Sequence, residues 1–129
     1  MKAEGSAKLV VACALLVGVF AIVRPAIAPL AASAASKPDG AAIYSAKCAS
    51  CHKADGKGGA PFPALAGSTD VTAKDPTAII VVTVKGKGMM PGFRPGLSNA
   101  EIAAVLTDIR TSWGNKASAV TEAQVAAVH

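Results

Sequence analysis

The sequence is poor in the residue types from which metal clusters and catalytic sites are usually built. It contains two histidines, three cysteines and five aromatic residues in 129 positions. No second cysteine pair accompanies Cys48 and Cys51, so nothing in the sequence completes a four-cysteine zinc site. So few aromatic residues also leave little bulky material for a hydrophobic core, and a domain of this size often needs an additional stabilising element.

Charge is also sparse. From Ser36 onward, ten Lys and Arg residues stand against seven Asp and Glu residues, which leaves a net charge of +3. There is no basic run and no alternation of basic with aromatic residues. Nucleic-acid binding is therefore not expected. Docking on an acidic protein surface remains open.

No apolar run reaches the roughly 20 residues that a membrane-spanning helix usually needs. The longest uninterrupted run extends from Leu9 to Val23, follows a basic start and ends at Arg24. Ala- and Ser-rich sequence with small residues suited to cleavage comes next. This order predicts that residues 1–35 are a secretory signal peptide or, if the segment is retained, an N-terminal membrane anchor. Residues 36–129 are then one exported domain.

The most informative stretch is Cys48-Ala49-Ser50-Cys51-His52. Its pattern, C-x-x-C-H, is the attachment signature of a c-type haem. Each cysteine can form a thioether to one vinyl group, and His52 follows directly, so its imidazole can reach the iron. A bare C-x-x-C also occurs in thiol redox proteins and in half of many zinc sites. On these five residues alone, both alternatives stay open.

The remainder of the exported domain shows helical signals separated by loops rich in Gly and Pro. Helices are predicted from Ala41 to Cys51, from Asp75-Pro76 to Gly86, from a capping box at Ser98 to Gly114 with an apolar stripe ending at Trp113, and after a second capping box at Thr121. Loops are predicted at 53–59, 61–67 and 86–96. No segment suggests a sheet.

A six-coordinate haem needs a second axial ligand, and His or Met can serve. His129 is the last residue, and a chain terminus is usually frayed, so it is a weak candidate. Met89 and Met90 lie in a loop of Gly and Pro residues, where thioethers are poor core material. An extended loop before Pro91 can press one of them against the haem face opposite His52. The alternative is that one or both methionines only pack on the haem rim.

The order of these features resembles class I c-type cytochromes over about residues 37–128. A helix leads into C-x-x-C-H, then follow Pro-x-Leu-x-Gly at 63–67, a short helix, a Met-Pro loop and a capped last helix. The resemblance implies an all-α fold, a small cytochrome c-like domain of three to five short helices wrapped around one covalently bound haem c. It implies His52 and Met90 as axial ligands, with Met89 as a neighbour of the ligand.

Other residues gain a role from the same resemblance. It implies that the carbonyl of Pro63 accepts a hydrogen bond from the second ring nitrogen of the proximal histidine. It also implies that Gly40 and Tyr44 cross the last helix near Val105. Many relatives carry an aromatic residue where Asp108 stands, which weakens the aromatic pairing expected for Tyr44.

The function implied by the resemblance is electron transfer and not enzymatic catalysis. The expected protein is a periplasmic mono-haem carrier between a dehydrogenase or bc-type donor and a terminal oxidase or reductase. Alternatives are a membrane-anchored electron-transfer subunit of a larger dehydrogenase or oxidase complex, and a haem enzyme or gas sensor with an exchangeable sixth ligand. The cations that flank the ligand loops either dock a redox partner or are simply solvated: Lys53, Lys57, Lys85, Lys87 and Arg94.

Overall fold

The computed structural model describes residues 36–129, and the predicted leader or anchor at 1–35 lies outside the described residues. The described part contains six helical segments and one small hairpin: α1 (Gly40–Lys47), α2 (Ala49–His52), α3 (Thr69–Thr72), α4 (Thr77–Lys85), β1 (Gly86–Lys87), β2 (Met90–Pro91), α5 (Asn99–Thr111) and α6 (Glu122–Ala126). The predicted all-α class is confirmed, although six helical segments are present where three to five helices were expected. Among residues 36–129, no helix has the length and apolar character needed to cross a membrane.

The helix predicted from Ala41 to Cys51 is divided in two. The Asp39 carboxylate caps α1 by accepting hydrogen bonds from the backbone N–H groups of Ala41 and Ala42, at 3.0 and 3.2 Å. The helix is interrupted at Cys48, and α2 ends at His52 because the next residue, Lys53, has a φ of 67°. The C-x-x-C-H stretch therefore begins at the break and ends with α2.

The nine-residue helix predicted after Asp75 is confirmed as α4, despite its β-branched sequence. The Asp75 carboxylate accepts hydrogen bonds from the N–H and the hydroxyl of Thr77, at 2.9 and 2.7 Å. Gly86, with φ of 84°, ends the helix as expected. The start signal thus outweighs the strand propensity of the residues from Ile79 to Val84.

The loop predicted at 86–96 begins with an antiparallel hairpin, so the expectation of no sheet was wrong here. Gly86 pairs with Pro91, and Lys87 pairs with Met90. Two-residue strands are too short to show the alternation of apolar and polar residues by which strands are recognised in a sequence.

Helix α5 carries the largest share of the core. Its capping box is confirmed: the Ser98 hydroxyl accepts from the N–H of Glu101, and the Glu101 carboxylate accepts from the N–H of Ser98. Its buried apolar residues pack with residues from α1, α3, α4 and α6: Ile102, Ala103, Val105, Leu106 and Ile109. This face forms one wall of the interior.

The predicted end of α5 was wrong by two residues. The helix stops at Thr111, and Trp113 lies beyond it with φ of 51°. The Trp113 ring therefore leaves the apolar stripe and packs on Tyr44, with ring centroids 4.9 Å apart and planes tilted by 59°. Trp113 thus supplies an aromatic partner for Tyr44, whose pairing was expected to be weakened because Asp108 stands where many relatives carry an aromatic residue.

Helices α1 and α5 cross at Gly40, as expected, although the closest partner differs from the prediction. A Cβ added to Gly40 would overlap the carbonyl of Ala104 and lie 3.0 Å from the Cβ of Asp108. The predicted partner, Val105, lies in the buried cluster together with Tyr44. The crossing therefore depends on the missing side chain at Gly40.

A buried arginine ties three segments together behind the core. Arg110 is fully inaccessible to solvent. Its guanidinium donates hydrogen bonds to the carbonyls of Val71 at 2.6 Å, Ala73 at 3.0 Å and Ser118 at 2.7 Å. These contacts fix α3 and the C-terminal segment against α5, and they satisfy a cation that would otherwise be costly to bury.

Candidate functional site

His52, the last residue of α2, is oriented by a hydrogen bond to the loop that follows it. Its ring is buried, with 7% of the residue exposed. Nδ1 lies 2.9 Å from the carbonyl oxygen of Pro63, to which it is placed to donate. With Nδ1 used in this way, Nε2 is the nitrogen that remains available to a metal.

The loop that carries Pro63 is itself held at both ends. The N–H of Gly58 donates to the carbonyl of His52 at 2.9 Å. Gly58 has a positive φ of 62°, and a Cβ at this position would lie 2.6 Å from the carbonyl oxygen of Pro63. Only glycine fits here without displacing the acceptor of the histidine hydrogen bond.

Asn115 fixes the far end of the same loop, and the sequence prediction missed it. It is buried, and its amide donates to the carbonyls of Leu65 at 3.1 Å and Ile109 at 2.9 Å. Its side-chain oxygen accepts from the N–H of Gly67 at 2.9 Å. No sequence signal identifies it, because an Asn after a helix end is usually an ordinary turn residue.

The predicted site residues line two adjoining cavities of about 550 and 310 Å³. Cys48, His52, Pro63 and Met90 border both cavities, and Cys51 borders the larger one. The remaining lining is mostly apolar, and it includes side chains that sequence reasoning did not assign to the site: Phe62, Val82 and Phe93 from the loops and α4, and Val71 and Leu106 from α3 and α5.

The two methionines occupy different environments. Met89 lies in the turn between β1 and β2, is 74% exposed and borders the larger cavity but not the smaller one. Met90 lies in β2, opposite Lys87, and is half-buried beside both cavities. The two thioethers are therefore not equivalent in their access to the interior.

Neither cysteine of the motif forms a disulfide within the described residues. Burial, with a smaller contribution from the charge of Cys51, raises the pKa of the Cys48 thiol to about 11. Thiols of redox motifs instead have a lowered pKa, which gives the reactive thiolate. The environment of Cys48 thus differs from that of a thiol redox site.

This set of donors fits a haem. Two thiols, an imidazole nitrogen and a thioether border a mainly apolar space, and thioether tethers with His and Met ligands are a known haem arrangement. The apolar lining also explains how a domain with five aromatic residues is stabilised, because a bound macrocycle would add a large apolar surface to the core.

Comparison with known proteins agrees with this geometry. Residues 35–107 match the family described as cytochrome C oxidase, cbb3-type, subunit III. Cytochrome c6 from Picosynechococcus is 33% identical over 106 residues, which cover 75% of this chain and 86% of that protein. The chain belongs to the class I c-type cytochromes. Haem c, held covalently, is the cofactor of this family, and its members are electron-transfer proteins.

Another relative of this cytochrome is much longer than this chain. The cytochrome c subunit of the quinone alcohol dehydrogenase of Gluconacetobacter polyoxogenes is 42% identical over 109 residues. The match covers 74% of this chain and 23% of that subunit, so the chain spans about a quarter of the length of this relative.

A solved structure is also similar. Cytochrome c6 from the diatom Phaeodactylum tricornutum aligns with 31% identity over 57% of this chain and 90% of the solved chain, with a TM-score of 0.48.

The cations predicted to dock a partner fall into different groups. Lys53, Lys85 and Lys87 are exposed, and Lys87 borders both cavities. Lys57 lies 3.7 Å from the Asp55 carboxylate. Lys47, which was not predicted, borders the larger cavity.

Arg94 requires a correction. It was predicted to be a docking cation, but its guanidinium is half-buried and donates hydrogen bonds to Asn99 and to the carbonyls of Val125 and Val128. The sequence places it next to the methionine loop but gives no sign that the C-terminal helix packs beside it.

Proposed function

We propose that this cytochrome is a periplasmic one-electron carrier in which His52 and Met90 are the axial ligands of the iron. Cys48 and Cys51 are the covalent tethers, and Pro63 orients His52. Haem supplies reversible one-electron chemistry when it is bound. The role of the protein is to hold the two ligands, exclude water and leave an edge accessible to partners, so no substrate has to reach the metal.

The observation that carries the proposal is that all five residues border the larger, mainly apolar cavity, with the Nδ1 of His52 hydrogen-bonded to the Pro63 carbonyl at 2.9 Å. This contact favours a fixed ring with Nε2 as the donor and makes the imidazole a stronger ligand. A ligand that is held in this way does not need to rearrange when the oxidation state changes.

The choice of Met90 over Met89 is supported by exposure and position. Met90 is half-buried beside both cavities, whereas Met89 borders only the larger of the two and is 74% exposed at the turn. A thioether ligand combined with His raises the reduction potential relative to two histidines, because the soft sulfur favours the reduced state. A methionine in this position also leaves no open coordination site for an enzyme or gas sensor.

We propose docking of an acidic redox partner near Lys53, Lys57, Lys85 and Lys87. The exposure of these side chains and the position of Lys87 beside the cavities support this surface. Complementary charge would speed the encounter and would be screened by salt. The rate of electron transfer to a partner should therefore fall steeply as ionic strength rises, and a flat response would contradict docking by these lysines.

A second candidate function is suggested by the similarity to the dehydrogenase subunit. The chain would then be a carrier held on or within a larger dehydrogenase or oxidase complex, with the apolar run from Leu9 to Val23 retained as an anchor. Intact mass of the purified protein separates the two, because a cleaved signal peptide removes about 35 residues and an anchor removes none.

The experiment that tests the carrier function is addition of carbon monoxide to the reduced holoprotein. A carrier with two firm ligands should bind carbon monoxide slowly and weakly, since Met90 must first leave. Rapid and complete binding in the wild-type protein would indicate an exchangeable site and would favour the enzyme or gas-sensor alternative.

A further inference from the structure

Arg94 connects the methionine loop to the C-terminal helix. Its Nη2 donates to the carbonyls of Val125 at 2.9 Å and Val128 at 2.7 Å, and its Nη1 donates to Oδ1 of Asn99 at 3.3 Å. Within residues 36–129, no carboxylate lies within ion-pair distance of Arg94, and its buried Nε has no hydrogen-bond partner. The position of the side chain is therefore set by the end of α6 and the start of α5.

The acceptors of Arg94 are carbonyls at and just beyond the C-terminal end of α6. The Val125 carbonyl also accepts a hydrogen bond from the N–H of Val128 at 3.2 Å, and a carbonyl oxygen can accept a second one. Carbonyls at the C-terminal end of a helix carry the negative end of its dipole, so a cation is well placed there. The body of α6 is anchored independently: Val125 is fully buried, and Thr121 caps the first turn through a capping box with Gln124. Arg94 is therefore bonded to a helix whose position is set by other contacts.

Arg94 is also close in sequence to Met90, the proposed ligand. It follows Met90 by four residues. The adjacent Phe93 borders both cavities, and its N–H donates to the carbonyl of Thr83 in α4 at 2.9 Å. The segment from Met90 to Arg94 is therefore fastened to α4 at one point and to α6 at the next.

We propose that Arg94 is a positioning residue for the axial methionine: its bonds to α6 hold the loop so that the Met90 thioether stays directed into the cavity. The inference rests on the proposed role of Met90 as a ligand. It adds that the C-terminal helix, which lines neither cavity, controls how readily Met90 leaves the iron.

The test measures the rate at which carbon monoxide binds to the reduced holoprotein, since this rate depends on release of the methionine. Arg94→Met keeps an unbranched apolar stem and removes the guanidinium with all of its donors. We expect binding to be faster by about tenfold, the factor expected for the loss of roughly one charge-assisted hydrogen bond. Arg94→Lys, which retains the charge and some donors, should restore part of the difference.

A second variant reaches the same contact from the other end. Thr121→Ala removes the cap of α6 at an exposed position and should fray the helix whose carbonyls accept from Arg94. It should also speed binding, by a smaller factor. In the double variant with Arg94→Met, the two effects should combine to less than their product, because both break the same connection.

Two control variants separate positioning from general stability and charge. Gly40→Ala should lower stability at the crossing of α1 and α5 without changing the contacts of Arg94. Even if it destabilises the fold as much as Arg94→Met does, it should bind carbon monoxide at nearly the wild-type rate. Lys74→Met removes an exposed cation elsewhere and should also leave it unchanged. If Arg94→Met lowers stability but binds carbon monoxide no faster than Gly40→Ala, Arg94 is only structural and the proposal fails.

A further variant distinguishes failure of the Met90 ligand assignment from failure of the proposal about Arg94. Met90→Ala should give the fastest binding of the series. If Met90→Ala binds at the wild-type rate, Met90 is not the ligand and the proposed function is wrong. If Met90→Ala is fast while Arg94→Met and Thr121→Ala both equal the wild type, the ligand assignment stands and the role of Arg94 is refuted.

Discussion

The Nδ1 atom of His52 lies 2.9 Å from the carbonyl oxygen of Pro63, eleven residues further along the chain. Gly58 makes this approach possible, because its lack of a Cβ leaves room for the Pro63 carbonyl. The proposed proximal ligand is thus oriented by a loop whose conformation depends on a glycine that does not itself touch the ligand ring.

Gly58→Ala should disturb this contact. The added Cβ would lie 2.6 Å from the Pro63 oxygen, and the positive φ adds strain. Gly67→Ala is a matched control, because its φ of 69° is similar and no heavy atom lies within 4 Å of its added Cβ. The control should cost about 1 kcal/mol, and Gly58→Ala about 1–3 kcal/mol more. Denaturant unfolding of the holoproteins measures both.

The same pair of variants has a second readout. A weaker hydrogen bond at Nδ1 makes His52 a poorer electron donor, so Gly58→Ala should raise the reduction potential relative to Gly67→Ala. Equal stabilities and equal potentials in the two variants would show that the Pro63 carbonyl is free to move away without consequence.

The close approach of α1 and α5 gives a prediction about the fold alone. Gly40→Ala would place a Cβ against the carbonyl of Ala104, and the helices must separate to admit it. We expect a loss of about 1–3 kcal/mol in the free energy of unfolding. Gly96→Ala is the control, since its nearest neighbour would be 4.0 Å away. Denaturant unfolding measures both variants, and equal unfolding midpoints for Gly40→Ala and Gly96→Ala would contradict this packing.

The capping box of α5 predicts a dependence of stability on pH. Hydrogen bonds from the N–H and then the hydroxyl of Ser98 lower the pKa of Glu101 below its ordinary value of 4.5. A carboxyl group with a lowered pKa in the folded state stabilises the fold above its ordinary pKa, and this contribution is lost as the pH falls through the lowered value.

Ser98→Ala should therefore have two effects. At neutral pH it should cost about 1 kcal/mol through loss of the helix cap. It should also reduce the loss of stability on acidification below pH 4.5, because the hydroxyl no longer holds the Glu101 pKa down. Ser45→Ala, at an exposed position of α1, is the control. An acid unfolding curve of Ser98→Ala parallel to that of Ser45→Ala would argue against this role.

Cysteine variants test the proposed covalent tethers. Cys48→Ala and Cys51→Ala should each impair covalent attachment, since each removes one thiol that borders the larger cavity. Cys13→Ala should attach haem normally, because Cys13 lies in the apolar run of the predicted leader. Intact mass after denaturation measures the covalently bound fraction. Full attachment in both motif variants would mean that these thiols are not the tethers.

Much of this arrangement could be predicted from the sequence because its signals are local. C-x-x-C-H, the Asp75-Pro76 start and the Ser98 capping box each occupy a few adjacent residues, and each specifies a backbone conformation with little help from the rest of the chain. The positions of α4 and α5 follow from such signals.

What could not be predicted depends on contacts between distant residues. Asn115 bonds Leu65 and Gly67 across about fifty positions, and Arg94 bonds Val125 and Val128 across more than thirty. A polar side chain in a loop has no local pattern that reveals a buried partner, so Arg94 was interpreted from its charge alone.

The most direct test of the account compares the absorption spectra of Met90→Ala and Met89→Ala holoproteins. Met90 is half-buried beside both cavities, whereas Met89 is 74% exposed and borders only the larger one, so the two substitutions should differ in outcome. We expect Met90→Ala to lose the low-spin six-coordinate spectrum and Met89→Ala to keep it. Loss of that spectrum in Met89→Ala, with Met90→Ala unchanged, would contradict the proposed ligand set.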